Sequence, residues 1–221
     1  MERGMKWNKQ KVETRRLDPV TGAPEEKLEY ASLGGSIPKP MIYIIGDSYI
    51  RLVEAQAREI IGTNLGLDEQ VQWFGKGGMV WQNLIPFLFQ CLRGRAIPDV
   101  LLIHCGGNDL GNVKSIRLVA AIKQDLRDLH QQFPQMKIIF SAITQRCQWR
   151  RVNPKKVDKA RRFVNSLMTT FILPVCGCIV HHPQIKYRNP DQFLHDGVHF
   201  TPLGNDVFLY NIALCLKDQI Q

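Results

Sequence analysis

Short apolar runs alternate with amphipathic stretches over most of this chain. The first run, Met41 to Ile45, is continuous and stops at Gly46, which is typical of a strand buried on both faces of a parallel sheet. Further strands are predicted at 71–74, 99–104, 136–141 and 178–181, and helices at 49–65, 80–92, 113–132, 155–172 and 202–217. This alternation predicts right-handed βαβ units and an α/β fold with one parallel sheet.

Residues 1–39 have no sustained period and are polar with mixed charge. Glycines and prolines close this segment, so we interpret it as a flexible N-terminal tail that precedes one domain over 40–221. No apolar run reaches the roughly 18–20 residues of a membrane span, and the first residues show no apolar signal region. We therefore expect a cytoplasmic protein.

Six cysteines are scattered along the 221 residues, which differs from the dense cysteines of small disulfide-bonded domains. Reduced thiols are expected. Cys176 and Cys178, followed by His181 and His182, invite a metal hypothesis. Their spacing is not C-x-x-C and the cysteines lie in an apolar run, so a buried strand is the better interpretation and no metal is expected.

Glycine-rich loops follow the first three predicted strands, and ligands of open parallel sheets bind beyond the carboxyl ends of the strands. Gly46-Asp47-Ser48 opens a helix, where Ser48 could be either a nucleophile or an N-cap. Gly77-Gly78 allows a close backbone approach to a ligand, or forms a plain turn. Asn108 offers a side-chain amide to an oxyanion, or forms an Asx turn.

Near the C-terminus, Asp196 precedes His199 by three residues, just before the last predicted helix. A serine nucleophile needs a base within hydrogen-bond reach, and that base needs an acceptor that orients it. With Ser48, Gly78 and Asn108 at the same edge of the predicted sheet, these residues meet the requirements of an acyl-transfer site.

These segments resemble, in order and approximate spacing, the sequence blocks of the SGNH (GDSL-type) hydrolases. Gly46-Asp47-Ser48 resembles the first block, Gly78 the second-block glycine and Asn108 the third-block asparagine. Asp196-Gly-Val-His199, with the Phe-Thr-Pro-Leu-Gly that follows, resembles the fifth block and is the most specific part. The resemblance covers about residues 41–217.

The family implies a flavodoxin-like three-layer α/β/α sandwich with five parallel strands in the order 2-1-3-4-5. It also implies ester hydrolysis without metal or cofactor. The resemblance implies that Ser48 is the nucleophile, that His199 is the general base and that Asp196 orients His199. It also implies an oxyanion hole that comprises the N–H groups of Ser48 and Gly78 and the side chain of Asn108.

One departure from the family pattern is Tyr49, which stands where leucine follows Gly-Asp-Ser, and we expect it to lie on the helix. The segments around Val71 and Leu102 and the basic stretch bear a weaker resemblance to SGNH-like domains of eukaryotic retroelements.

We expect a small-molecule or lipid ester as substrate, with a short acyl group such as acetyl. Transfer of the acyl group to an acceptor other than water remains open. Trp81, Gln145 and Trp149 are predicted substrate contacts.

The formal charge of +9 is concentrated between residues 146 and 162. Either this is a solvated helix face, or it binds nucleic acid or an anionic membrane surface. The second alternative would make the chain a non-catalytic or dual-role binding module. The predicted anion-binding residues are Arg150, Arg151, Lys155 and Lys156.

Overall fold

The structure is a computed structural model that describes residues 15–17, 24–26, 39–149, 153–173 and 177–220. The chain divides into two units, 1–38 and 39–221. In the first unit, strands Arg15–Leu17 and Pro24–Glu26 pair antiparallel, a pairing that the sequence pattern does not indicate. The flexibility of this segment stays a prediction.

A parallel sheet of five strands forms the centre of the second unit. The strands are β1 (Met41–Gly46), β2 (Gln70–Gly75), β3 (Val100–His104), β4 (Lys137–Ser141) and β5 (Cys178–Val180). They lie in the order β2-β1-β3-β4-β5, and every neighbouring pair is parallel. This confirms the predicted flavodoxin-like order 2-1-3-4-5.

Helices cover both faces of the sheet. They are α1 (Ser48–Ile60), α2 (Leu84–Leu92, preceded by a 3-10 turn at Trp81–Asn83), α3 (Ser115–Gln132), α4 (Pro154–Ile172) and α5 (Pro202–Ile220). Helix α1 ends before residue 65 because Gly62 and Leu65 adopt positive φ angles of 83° and 58°. Among the described residues, no helix is long and apolar enough to cross a membrane.

The continuous apolar run of β1 is explained by two cores, one on each face of the sheet. Ile42 and Ile44 pack on the face covered by α1 and α5, whereas Tyr43 and Ile45 pack on the face covered by α2, α3 and α4. Successive side chains of a strand point to opposite faces, so a strand covered on both sides needs apolar residues at every position.

Two glycines end strands at places where no side chain fits. A Cβ on Gly46 would lie 2.1 Å from the carbonyl oxygen of His104, and one on Gly75 would lie 2.2 Å from the backbone nitrogen of Arg51. These close approaches bring β1 against β3 and α1 against β2 at the carboxyl edge of the sheet.

A chain of buried polar side chains links the ends of β3 and β4 to α5. His104 Nδ1 lies 2.9 Å from Ser141 Oγ, which lies 2.8 Å from His182 Nε2. Asn211 Nδ2 lies 3.4 Å from His182 Nδ1. Burial, with the charge of nearby Arg146, lowers the pKa of His104 to about 3. Burial also lowers the pKa of His182 well below its usual range, so both rings are neutral at pH 7.

The residues considered for a metal site have other surroundings. Cys178 Sγ lies 3.5 Å from Cys215 Sγ, and His182 belongs to the buried polar chain. Cys176 lies outside the described residues. No group of three or more histidine, cysteine or acidic side chains within the described ranges is arranged to hold a metal ion.

We predict that His182 makes the fold sensitive to acid. Its folded-state pKa lies below the unfolded value of about 6.5, so the unfolded chain binds a proton first as the pH falls, and stability declines below that value. We therefore consider the difference in unfolding free energy, wild type minus His182→Gln. This difference should fall by about 2 kcal/mol between pH 7 and pH 5. Urea unfolding at both pH values measures this.

Other titrating groups, including Asp47, are present in both proteins and cancel in this difference. A gap between wild type and His182→Gln that is equal at the two pH values would contradict the prediction.

Candidate active site

Loops from the carboxyl ends of the strands meet the loop before α5 around a cavity of about 410 Å³. Strand order reverses between β1 and β3, which is where open α/β sheets bind ligands. The cavity lining includes the predicted residues Ser48, Gly78, Asn108, Trp149 and His199, together with Arg51, Gly77, Arg146 and Gln148. Distant stretches of the sequence therefore come together at the predicted edge of the sheet.

The N-cap of α1 is Asp47. Its carboxylate accepts a hydrogen bond of 3.0 Å from the Tyr49 N–H, and the helix begins at Ser48. Interpreting Ser48 as the N-cap is therefore wrong, because its neighbour fills that role. The N–H of Ser48 lies in the first turn, where backbone donors have no acceptor within the helix.

Ser48, His199 and Asp196 form one series of hydrogen bonds. His199 Nε2 lies 3.0 Å from Ser48 Oγ, and His199 Nδ1 lies 2.5 Å from Asp196 Oδ2. A carboxylate can only accept, so it fixes the proton on Nδ1 and leaves the lone pair of Nε2 facing the serine hydroxyl. This is the arrangement that activates a serine for nucleophilic attack.

The backbone of its own turn holds the Asp196 carboxylate in place. Asp196 Oδ1 accepts hydrogen bonds from the N–H groups of Val198 at 2.8 Å and His199 at 2.9 Å. Partial burial by itself would raise the pKa of Asp196. The two N–H donors and the imidazole outweigh this effect and lower the pKa, so the group is ionised at neutral pH.

Tyr49 lies on α1 as expected, and it also joins the helix to the histidine loop. Its buried hydroxyl donates to the Val198 carbonyl at 2.5 Å, and its ring packs 4.6 Å from that of Phe200, centroid to centroid. Burial raises the pKa of Tyr49 to about 12, so this donor keeps its proton. Tyr49 thus fixes the loop that carries His199, a role that the sequence did not indicate.

Gly77 and Gly78 both line the cavity after β2. Gly78 has a φ angle of 68°, a conformation that favours glycine, and a Cβ there would meet no atom within 4 Å. Backbone conformation, and not close packing, is what requires glycine at this position.

Asn108 is held by both ends of its side-chain amide. Its Nδ2 donates to the Met79 carbonyl at 2.9 Å, and its Oδ1 accepts from Arg146 Nη1 at 3.3 Å. An amide nitrogen carries two protons, so one remains for a ligand in the cavity.

Arg146 lines the cavity and is not part of an exposed basic surface, although it lies in the basic stretch between residues 146 and 162. Its side chain is 8% exposed and lies between two aromatic rings, with Cζ 5.3 Å from the centroid of Tyr49 and 5.0 Å from that of Trp149. Its Nη2 is 3.9 Å from Asp47 Oδ2. Burial raises the pKa of Asp47 to about 6, although Arg146 opposes the shift. The position of Arg146 at the carboxyl edge, after β4, is the one sequence signal that could have revealed this role.

Two of the three predicted substrate contacts lie elsewhere. Trp81 is 1% exposed and is held in the core, where its Nε1 donates to Asp125 Oδ2 at 2.7 Å. Gln145 turns away from the cavity and accepts a hydrogen bond of 3.1 Å from the Tyr187 N–H. Trp149 lines the cavity, and its contact with a substrate stays a prediction.

The predicted anion-binding segment is described only in part. Lys155 and Lys156 are exposed in the first turn of α4, whereas Arg150 and Arg151 lie outside the described residues. Asp158 pairs with Arg161 at 2.9 Å and with Arg162 at 3.2 Å, which offsets part of the positive charge. Binding of nucleic acid or anionic lipid stays a prediction.

The chain matches no family model and no curated protein. It does resemble solved structures of ester-cleaving enzymes. A GDSL-like lipase from Bacteroides thetaiotaomicron has a TM-score of 0.67 and 16% identity, over 81% of this chain and 89% of the lipase. A family 3 carbohydrate esterase from Clostridium thermocellum has a TM-score of 0.62 and 14% identity, over 82% and 97%.

An acetyl esterase mutant solved with an acetate ion has a TM-score of 0.55 and 18% identity, over 82% of this chain and 98% of the esterase. Likenesses at such low identity establish the fold. They confirm that this chain has the α/β architecture of the GDSL-like enzymes, and its chemistry has to be argued from the site itself.

We predict that Tyr49→Phe lowers the free energy of unfolding by about 1 kcal/mol, because the Val198 carbonyl loses its donor while the ring is retained. Urea unfolding measures the change. Tyr210→Phe is the matched control, since that side chain is 64% exposed and has no hydrogen bond among the described residues. Equal stability of the two variants would show that the Tyr49 hydroxyl does not hold the loop.

Proposed function

We propose that this chain is an SGNH (GDSL-type) serine esterase that hydrolyses carboxylic esters through an acyl-Ser48 intermediate. The observation that carries the proposal is the hydrogen-bond series from Asp196 through His199 to Ser48, which opens into the cavity. The esterases with the same fold support the reaction class.

In the first step, Ser48 Oγ attacks the ester carbonyl while His199 Nε2 accepts the hydroxyl proton. The 3.0 Å separation of these two atoms already suits that transfer. The imidazolium that forms is stabilised by the Asp196 carboxylate, 2.5 Å from Nδ1.

The oxyanion of the tetrahedral intermediate is stabilised by the N–H groups of Ser48 and Gly78 and by the Asn108 amide. Ser48 contributes a donor from the first turn of α1, where the helix dipole also favours negative charge. Asn108 has one amide proton left, and its orientation is fixed through Met79 and Arg146. Donors that are held in place before the reaction are the effective ones.

The intermediate then collapses, and the alcohol leaves with the proton from His199. Water, deprotonated by the same imidazole, attacks the acyl-Ser48 carbonyl, and a second collapse releases the acid and restores the serine. An alcohol acceptor in place of water would give acyl transfer by the same steps, and analysis of products with candidate acceptors separates the two outcomes.

We expect the substrate ester to carry a short acyl group, such as acetyl. The cavity of about 410 Å³ is shared by the acyl group and the alcohol, and a small-molecule or lipid ester could extend beyond its mouth.

We expect Ser48→Ala to abolish the hydrolysis of 4-nitrophenyl acetate and labelling by a fluorophosphonate, because Ser48 Oγ is the hydroxyl that lies 3.0 Å from His199 Nε2. Product release and mass-spectrometric site mapping measure the two effects. Ser166→Ala, an exposed serine on α4, is the matched control and should behave as wild type. Equal turnover by wild type and Ser48→Ala would refute the proposal.

We expect Asn108→Ala to lower kcat by about 10²–10³-fold with a smaller change in KM, since the donor acts mainly on the oxyanion. Steady-state kinetics test this, with thermal unfolding as a check that the variant is folded. Asn64→Ala, far from the cavity, serves as the control. An unchanged kcat in folded Asn108→Ala would remove Asn108 from the oxyanion hole.

A further inference from the structure

The lining of the cavity carries positive charge. Two of its lining residues, Arg51 and Arg146, are arginines, and none of the described residues that line it is acidic. On binding, a neutral ester gains little from this charge, whereas an anionic ester is attracted by it.

Arg146 is a buried cation that is incompletely paired. Burial of a charge is costly unless close hydrogen-bonded partners compensate it. The nearest carboxylate oxygen, Asp47 Oδ2, is 3.9 Å from Nη2 and has no hydrogen bond within the described structure. Arg146 Nε is likewise buried without a partner there. The charge of Arg146 is therefore only partly compensated by the described residues.

Arg51 supplies a second positive charge at the rim. It lies three residues after Ser48 on α1, so both side chains are on neighbouring positions of one helix face. Its guanidinium is exposed and makes no ion pair or hydrogen bond with the described residues. Arg51 stands beside Gly75, at the start of the Gly77-Gly78 loop, whereas Arg146 stands beside Gly107 and Asn108. The two arginines thus border the reaction centre on separate sides.

The other carboxylates near the site do not neutralise this charge within the cavity. Asp196 is engaged by His199 and its own turn, and Asp109 Oδ2 is bound by the Trp81 N–H at 2.9 Å. Asp47 is 1% exposed and lies behind Ser48. An incoming substrate therefore meets a cationic surface.

We propose that the substrate of this site is an ester that carries an anionic group, a carboxylate or a phosphate, and that Arg51 and Arg146 form the subsite for it. The inference rests on the proposed esterase function and specifies its substrate class. Attraction by the arginines lowers KM for an anionic ester. Because Arg146 is 8% exposed, the attraction is stronger there than between charges in bulk water.

Esters of matched shape test the proposal. 4-Acetoxybenzoate and 4-acetoxyphenyl phosphate are the anionic substrates, and 4-acetoxybenzamide is the neutral one. Mono-4-nitrophenyl adipate and 4-nitrophenyl hexanoate place the charge on the acyl side. Each kcat/KM is divided by the rate constant for hydroxide-catalysed hydrolysis, which removes differences in leaving group. We expect kcat/KM for an anionic ester to exceed that of its neutral partner about tenfold, equivalent to about 1.4 kcal/mol.

Arg51→Gln should reduce this ratio several-fold, and about 0.5 M salt should have a similar effect through screening. Arg58→Gln is the matched control, because Arg58 lies on the same helix but pairs with Glu54 at 2.9 Å and does not line the cavity. Arg146→Lys keeps the charge and is used beside Arg146→Gln, since the latter could unfold. The proposal would be overturned if no anionic ester were preferred over its neutral partner. It would also be overturned if Arg51→Gln and salt left the preference unchanged.

Binding to Ser48→Ala separates this test from that of the esterase function. Calorimetric titration with intact 4-acetoxybenzoate and 4-acetoxybenzamide measures the preference without turnover. Tighter binding of the anion supports the subsite even if hydrolysis is absent. Equal affinity together with hydrolysis of neutral esters would refute the subsite and leave the esterase proposal standing.

Discussion

The close packing around Gly46 determines how the sheet, the first helix and the site are joined. Because Gly46 has no side chain, β1 can lie against the His104 carbonyl, and that carbonyl accepts the Asp47 N–H at 3.2 Å. Asp47 is thereby placed to cap α1, and Ser48 emerges at the first helical position. A larger residue at 46 would separate β1 from β3 and move the serine away from His199. The position of Ser48, the proposed nucleophile, therefore depends on a contact that involves neither Ser48 nor His199.

Much of the fold follows from local pattern, because strands buried on both faces are apolar at every position and the helices between them are amphipathic. The candidate site follows from one geometric rule, that loops after parallel strands share an edge. Ser48 and His199 are 151 positions apart, yet both segments could be assigned to that edge before their contact was known. The 3-10 turn before α2 and the early end of α1 depend on backbone conformations that periodicity does not reveal.

The residues whose location was predicted wrongly are those whose surroundings depend on packing between distant segments. Arg146 opens a run of basic residues, and composition alone suggests that it is solvated; Tyr49 and Trp149 instead enclose it. Trp81 follows Gly78 by three residues, but its hydrogen bonds to Asp109 and Asp125 hold it in the core. Local sequence pattern predicts whether a segment is helical or extended. The surroundings of these side chains depend instead on contacts with distant segments, which local pattern does not reveal.

For the buried pair of Asp47 and Arg146, closer pairing of the two charges would conflict with the contact between Arg146 and Asn108. A stronger ion pair would compensate both charges, but at 3.9 Å with no hydrogen bond the compensation is incomplete, and the pKa of Asp47 rises to about 6 through burial. Drawing Arg146 fully onto Asp47 would remove it from Asn108 Oδ1 and free the amide to rotate. Arg146 is held between Asp47 and Asn108, so the Asn108 amide that we propose as an oxyanion donor keeps a fixed orientation.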